Sequence, residues 1–228
     1  MSNKRVQITA LVPMKGASVR VKGKNMRVFG DKPLCRHILE TLEECPEIST
    51  IIINTDSEEI ASLCQDYPKV RIHERPEFLR GHDVPMNAII EWDIAHDTGE
   101  GHFLQTHATN PLLGSATIRR ALAKYFEGLE SHDSLFSVTP LYSRFYSSNA
   151  EPLNHNPAEL LKTQDLPPIY EENSCIYIFS NESFKNANNR RIGMRPQFFE
   201  MDKIESMDID TEDEFLIAEA IWRKLRGQ

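Results

Sequence analysis

The sequence predicts an α/β protein built on a mostly parallel β-sheet with helices on both faces, carrying one small arm. Three observations predict it. Strand-like and helix-like segments alternate from residue 6 to about residue 139, the pattern of parallel strands joined by crossover helices. The run Thr50 to Asn54 is continuously apolar, as expected of a strand covered on both faces. The chain has 228 residues, which suits a single α/β domain, 1–228, with a modest extra lobe.

Val6 to Pro13 (VQITALVP) is apolar, β-prone and bounded by turn residues, and reads as the buried first strand. The glycine-containing basic stretch after it reads as a loop. Pro33 to Glu44 carries Leu34, Ile38, Leu39 and Leu42 at helical spacing, with Pro33 suited to the first turn. Thr50 to Asn54 is the second strand, and Ser57 to Asp66 a helix capped by Asp56 or Ser57. Val70 to His73 is the third strand, Met86 to His96 a helix and Gly101 to Thr106 the fourth strand. Ser115 to Glu127 reads as a helix capped by Ser115, followed by a strand over Ser134 to Thr139. From Pro140 to Tyr170 the alternation stops in a stretch rich in Pro, Asn, Ser and Tyr, which reads as an arm, a lid or an oligomer contact. A strand returns over Ser174 to Ser180. The last helix, Thr211 to Leu225, places Phe215, Ala218, Trp222 and Leu225 on one stripe.

Composition excludes several classes. Hydrophobic residues make up 40% of the chain, enough for a full core, yet no segment approaches a membrane span and no apolar leader opens the sequence. The four cysteines, Cys35, Cys45, Cys64 and Cys175, form no CxxC pair. That argues against a zinc site or disulfide framework and for a soluble protein of the reducing cytoplasm. With a net charge of −8 and no basic face, the chain is not a nucleic-acid binder. Its one concentrated basic segment, Lys15 to Arg27, suits a small anionic ligand.

That segment follows the first strand, where open parallel sheets bind ligands. It holds Lys15, Gly16, Ser18, Arg20, Lys22 and Lys24. Glycine admits close backbone approach, successive N–H groups form an anion nest, and lysines add point charges for phosphates. It matches neither GxxxxGK[ST] nor GxGxxG, and a solvated basic loop is the plainer alternative. Near the end, Ser206-Met207-Asp208-Ile209-Asp210 puts two carboxylates on one side of an extended segment, where they could share a hard cation such as Mg2+. Alternatively Asp210 merely caps the final helix. Arg75 at a strand end could contact a phosphate, fix a carboxylate or form a surface ion pair. His107 and Thr109 follow the fourth strand in a polar turn. Asn173 could hydrogen-bond a substrate or simply make a turn.

Taken in order, these motifs resemble the CMP-sialic acid synthetase family of cytidylyltransferases over nearly the whole chain. LVPMKGASVRVKGKN resembles the family's nucleotide loop, with Ser18, Lys24 and Asn25 in matching places and Lys15 where an arginine is usual. IINTDSEEIA, HERPEFL, ATNPLL, ENSCIYIFS and SMDIDTEDEF resemble later family segments, bringing in Arg75, Asp83, Thr109, Asn173, Tyr177, Asp208 and Asp210. The resemblance implies a Rossmann-like nucleotidyltransferase fold that transfers CMP from CTP to an acidic acceptor. It implies Lys15, Gly16, Ser18, Arg20, Lys24, Asn25, Arg75, Asp83 and Asn87 on the nucleotide and Mg2+ on Asp208 and Asp210. It also implies a homodimer formed through the arm, with His107, Thr109, Lys162, Asn173 and Tyr177 on the acceptor side.

Departures concentrate on that acceptor side, where His107 stands for a glutamine and Glu171 for an arginine; in the ATNPLL turn Leu113 also replaces an arginine. CTP use is therefore better supported than sialic acid use. The acceptor reads as a nonulosonic or ulosonic acid or, alternatively, a phosphonate. A sugar-1-phosphate nucleotidyltransferase would show a more glycine-rich first loop. A non-catalytic nucleotide-binding module is the remaining alternative.

Overall fold

The computed structural model describes residues 6–18, 20–81, 83–97 and 101–227. The chain begins with β1 (Ile8–Leu11), then a long loop, the short ribbon β2 (Val28–Phe29) and β3 (Lys32–Pro33), and α1 (Leu34–Glu43). β4 (Ile48–Thr55), α2 (Glu58–Cys64), β5 (Val70–Glu74), α3 (Met86–His96), β6 (His102–Gln105) and α4 (Ser115–Glu127) follow. The second half holds β7 (Ser134–Leu141), β8 (Ile169–Ser180), α5 (Asn181–Asn186), β9 (Pro196–Glu200) and α6 (Glu212–Leu225).

Seven strands form one sheet in the order β5-β4-β1-β6-β8-β7-β9. β1 runs parallel to β4 and β6, β4 to β5, and β7 to β9; β8 is antiparallel to both its neighbours. The sheet is therefore mostly parallel, as its sequence pattern predicts. Side-chain alternation shows why both faces must be covered. Ile8, Ala10, Val12, Ile51 and Ile53 enter one core with α1, α2 and α4, whereas Leu11 and Ile52 enter another with α3 and α5. A third, smaller core joins Val21, Phe29 and Leu34 to Ile209, Phe215, Ala218 and Trp222. It ties the loop after β1 to the last helix, elements almost 190 residues apart.

Several local expectations are corrected. Of the two cap candidates for α2, Ser57 serves, its hydroxyl accepting from the Ile60 N–H at 3.3 Å. Gly114 caps α4, leaving Ser115 to donate its hydroxyl to Glu44 at 2.8 Å. Pro33 lies just before α1 rather than inside it. Leu225 leaves the expected stripe of α6 and is 68% exposed. β8 begins at Ile169, five residues earlier than its apolar run, because Glu171 and Glu172 pair with β7 while facing outward. The sequence reading missed α5 and β9; both are short and lack a clear apolar period.

Residues 142–168 leave the sheet between β7 and β8, with a single isolated bridge, Tyr146 to Pro152, and a 3-10 turn over Thr163–Asp165. They expose Tyr142, Tyr146, Leu153, Leu160 and Leu161. No helix among the described residues is long and apolar enough to cross a membrane.

Gly30 holds the β2–β3 turn at φ +65°, and a Cβ there would lie 2.3 Å from the Trp222 ring. Left-handed backbone costs an L-residue ~1–2 kcal/mol, and overpacking adds ~1–3 kcal/mol. Gly30→Ala is expected to lower stability by about 2–5 kcal/mol in urea unfolding. An unchanged midpoint would mean that the third core does not brace the loop.

Candidate active site

The site forms beyond the carboxyl ends of β1, β4 and β6, where the sheet's topology reverses direction. Its centre is Ile209. The side chain is fully buried in the third core, so Asp208 and Asp210 on either side are turned the other way. The Ile209 N–H donates to the Thr109 carbonyl at 3.0 Å, and the Ile209 carbonyl accepts from Lys24 Nζ. Asn110 Nδ2 supports the same segment by donating to the Met207 carbonyl at 3.2 Å. The basic loop, the turn after β6 and the aspartate segment thus meet on one backbone unit.

Asp210 accepts from Lys24 at 3.3 Å and pairs with Arg20 at 2.9 Å. It does not cap α6. Thr211 does so in a capping box with Glu214, whose carboxylate also accepts from the Asp210 N–H. The Asp210 side chain is thereby left to face the basic loop. Asp208 Oδ1 is buried without a hydrogen-bond partner. Burial pushes the Asp208 pKa up, against the Thr109 hydroxyl and Lys24, which favour the carboxylate. Among the described residues no group of three or more His, Cys, Asp or Glu side chains could hold a metal. Two carboxylates, one with an orphaned buried oxygen, fit a cation that takes its remaining ligands from water and phosphate.

Other residues of the loop brace it. Lys15 Nζ donates to the Gly81 carbonyl at 2.7 Å, and Asn25 Nδ2 to the Lys15 carbonyl at 3.0 Å. The Gly16 N–H, expected to bind an anion, donates to Asp56 at 2.8 Å; a Cβ on Gly16 would lie 2.7 Å from that of Ser57. Ser18 is half-buried in the loop. Arg75, read as a phosphate or carboxylate contact, is 1% exposed, and its bonds go to Asn54 Oδ1 at 2.7 Å and to the carbonyls of Asn54 and Met14. Asn54 donates to the fully buried Asp93 at 2.7 Å, which also bonds His73 at 2.8 Å. This network pins the end of β1 to β4 and β5. Asp83 is exposed, and Asn87 is half-buried on α3 with an unpartnered Oδ1.

On the side expected to hold the acceptor, β8 carries an irregularity: Phe136 pairs with Tyr177 but Val138 with Glu172. Ser174 takes φ 60° there. Asn173 secures the bulge rather than standing free: Oδ1 accepts from Ser137 at 2.6 Å and from the Cys175 N–H, and Nδ2 donates to Thr139 at 3.0 Å. Bulges re-aim side chains beside functional sites. Here Glu171, Glu172, Asn173 and Asp208 line a cavity of about 610 Å³. Tyr177 is fully buried, and its hydroxyl donates to Glu172. Lys162 lies exposed on the arm just before its 3-10 turn, and the described residues give it no bond to this cavity. A larger cavity of about 890 Å³ around His102, His132 and Asp133 contains none of these residues.

His107 is half-buried, and Gln105 fixes its tautomer. Arg191, which has only donors, donates to Gln105 Oε1, and Gln105 Nε2 donates to the Thr106 carbonyl at 2.9 Å. Nε2 also faces His107 Nε2 at 3.2 Å. With the amide oriented from both ends, His107 Nε2 must accept, so the ring is neutral and protonated on Nδ1. Burial, Arg191 and Lys24 push its pKa down to about 4 against the pull of Asp210. Sequence reading missed Gln105 and Arg191. Arg191 lies in an irregular stretch before β9, with no motif around it.

Comparison with known proteins gives the family. Over 223 residues the chain is 24% identical to post-translational flagellin modification protein B of Campylobacter coli, covering 93% of this chain and 94% of that one. It is 27% identical over 232 residues to N-acylneuraminate cytidylyltransferase of Escherichia coli O18:K1:H7, covering 98% of this chain but 54% of the relative. The chain thus spans about half the length of that relative. The fold is similar to that of CMP:2-keto-3-deoxy-manno-octonic acid synthetase complexed with CTP, at TM-score 0.67 and 11% identity, covering 96% of this chain and 99% of that one. The family model described as cytidylyltransferase matches residues 9–221, from β1 into α6, and the chain therefore belongs to the cytidylyltransferase family.

Proposed function

We propose that this protein transfers CMP from CTP to an acidic sugar acceptor of the nonulosonic or ulosonic acid class, releasing pyrophosphate. One observation carries the reading: within a chain of this family, Lys24 of the basic loop meets Asp210 of the paired-aspartate segment directly. An acceptor oxygen forms a bond to the α-phosphorus, the bond to the bridging oxygen breaks, and pyrophosphate departs with that oxygen. A hydroxyl acceptor gives up its proton in this step; an anionic phosphonate has none to give.

Lys24, only 13% exposed in its side chain, and the more exposed Arg20 face the charge that grows on the phosphates. Lys15 and Asn25 hold the loop in shape, so positioning and preset charge supply most of the acceleration. Asp208 and Asp210 would hold Mg2+, which when bound neutralises phosphate oxygens. Asp83 and Asn87, near the loop's closing contact at Gly81, are the polar groups offered to the pyrimidine. His107 does not act as the base through Nε2, which already accepts from Gln105. This favours a second reading, a phosphonate acceptor, which needs no base.

The exposed apolar arm supports a homodimer. Four free, buried cysteines support a cytoplasmic location. The partners are CTP and the acid, with neither nucleic acid nor membrane involved.

Pyrophosphate release, measured with each nucleoside triphosphate against sugar acids and phosphonates, tests the reading. Release with CTP and one acid class is expected, whereas silence with every pair would favour a binding module. Lys24→Ala should lower turnover by about 10²–10³-fold, the loss typical of one preset electrostatic donor; wild-type turnover would refute that role. Chelation by EDTA should abolish release and added Mg2+ restore it; full activity in EDTA would remove the metal.

His107 should show no titration between pH 5 and 9 and an Nδ1–H signal in ¹⁵N NMR. Because its folded pKa, about 4, lies below the ordinary 6.5, the unfolded chain binds more protons between those values. The His107 contribution to stability is therefore intact above pH 6.5 and falls as the pH drops toward 4. Titration near 6.5 in the folded protein would contradict the tautomer assignment.

A further inference from the structure

Arg191 has an unusual setting for a charged side chain. Its guanidinium lies over the Tyr177 ring, 4.0 Å from the centroid, and one arm donates to Gln105 Oε1. Gln105 closes β6 and is in register with Leu11 of β1 and Tyr177 of β8, so Arg191 stands at the ligand edge of the sheet, one strand from the basic loop. His107 lies 3.2 Å from the same Gln105 amide, and burial together with the charges of Arg191 and Lys24 lowers its pKa. On the other side, Glu172 is within electrostatic reach of Arg191 and lines the 610 Å³ cavity beside Asp208.

Among the described residues Arg191 has no ion pair. Glu172 accepts instead from the Tyr177 hydroxyl. A half-buried guanidinium is costly unless its charge is used, and it is suited to bidentate recognition of an oxyanion. Stacking on Tyr177 and the bond to Gln105 hold the fork in place and leave its other donors free. The same Gln105 amide keeps His107 neutral, so the imidazole adds a donor without a second charge.

We infer that Arg191, held by Gln105 and Tyr177, receives the anionic group of the acceptor and determines which acids the enzyme accepts. The inference rests on the transferase reading. Its ligand is an oxyanion, either the carboxylate of a sugar acid or a phosphonate.

The test compares wild type with Arg191→Gln and Arg191→Lys in pyrophosphate release, using N-acetylneuraminate, its methyl ester and 2-aminoethylphosphonate. Loss of one charge-assisted bond pair should raise KM for the anionic acceptor by about 10–100-fold in Arg191→Gln and less in Arg191→Lys. KM for CTP should stay within about twofold, which also controls for folding. If the carboxylate is the group bound, the ester should be as poor a substrate for wild type as the acid is for Arg191→Gln. If the phosphonate is bound, only 2-aminoethylphosphonate should respond to the substitution. An unchanged acceptor KM, or a parallel rise in the CTP KM, would overturn the assignment.

Thermal shift by each anion separates this from failure of the transferase reading. Should no acceptor give turnover, stabilisation of wild type that disappears in Arg191→Gln still supports the anion site. Absence of stabilisation by either anion in wild type overturns it.

Discussion

The site depends on the burial of one side chain, that of Ile209. Its place in the small core with Val21, Phe29, Phe215 and Trp222 fixes an extended segment against the loop after β1. Its N–H and carbonyl are spent on Thr109 and Lys24, so three distant stretches of chain meet at the backbone of one residue. The carboxylates at 208 and 210 turn away from that core because strand-like backbone alternates and the intervening residue is apolar. Fully burying an isoleucine is worth ~1.5–3 kcal/mol, more than a typical exposed ion pair. Apolar packing, rather than attraction between Lys24 and Asp210, therefore positions the charges.

The proposed acceptor side is organised by a strand irregularity. The turn at Ser174 offsets Glu172 from Tyr177, and Asn173 fills the gap by bonding Ser137, Thr139 and the Cys175 N–H. Glu172 and Tyr177 are thus close enough to bond although the ladder spaces them unevenly. Arg191 and Gln105 complete a chain of side chains that runs from this bulge to His107. The two halves meet at Asp208, whose partly desolvated carboxylate borders the cavity.

Arg75 shows how a residue that looks like a ligand contact can serve the frame. At the end of β5 it points back under the sheet edge, where its donors satisfy the carbonyls of Met14 and Asn54. With Asn54, Asp93 and His73 it forms a buried polar network, and such networks rigidify only when their bonds are made. These bonds fix the start of the loop after β1, while Arg75 Nη1 is buried without a partner.

Much of this was legible in the sequence because it is periodic or local. The apolar runs of β1 and β4 could only be buried on both faces, and the spacing of Leu34, Ile38, Leu39 and Leu42 could only be a helix. The basic loop and the Asp208–Asp210 pair stood out through charge density and alternation. What the sequence left open were contacts between segments far apart in the chain. Whether Asp210 capped α6 or faced Lys24 was settled by Thr211 and Glu214 taking the cap. The tautomer of His107 follows from Arg191, eighty-four residues away, orienting the Gln105 amide. Arg191 itself carried no local signal, because an arginine in an irregular stretch looks like any solvated surface charge. Only tertiary packing, by placing it over Tyr177 without a carboxylate partner, made it a feature of the site.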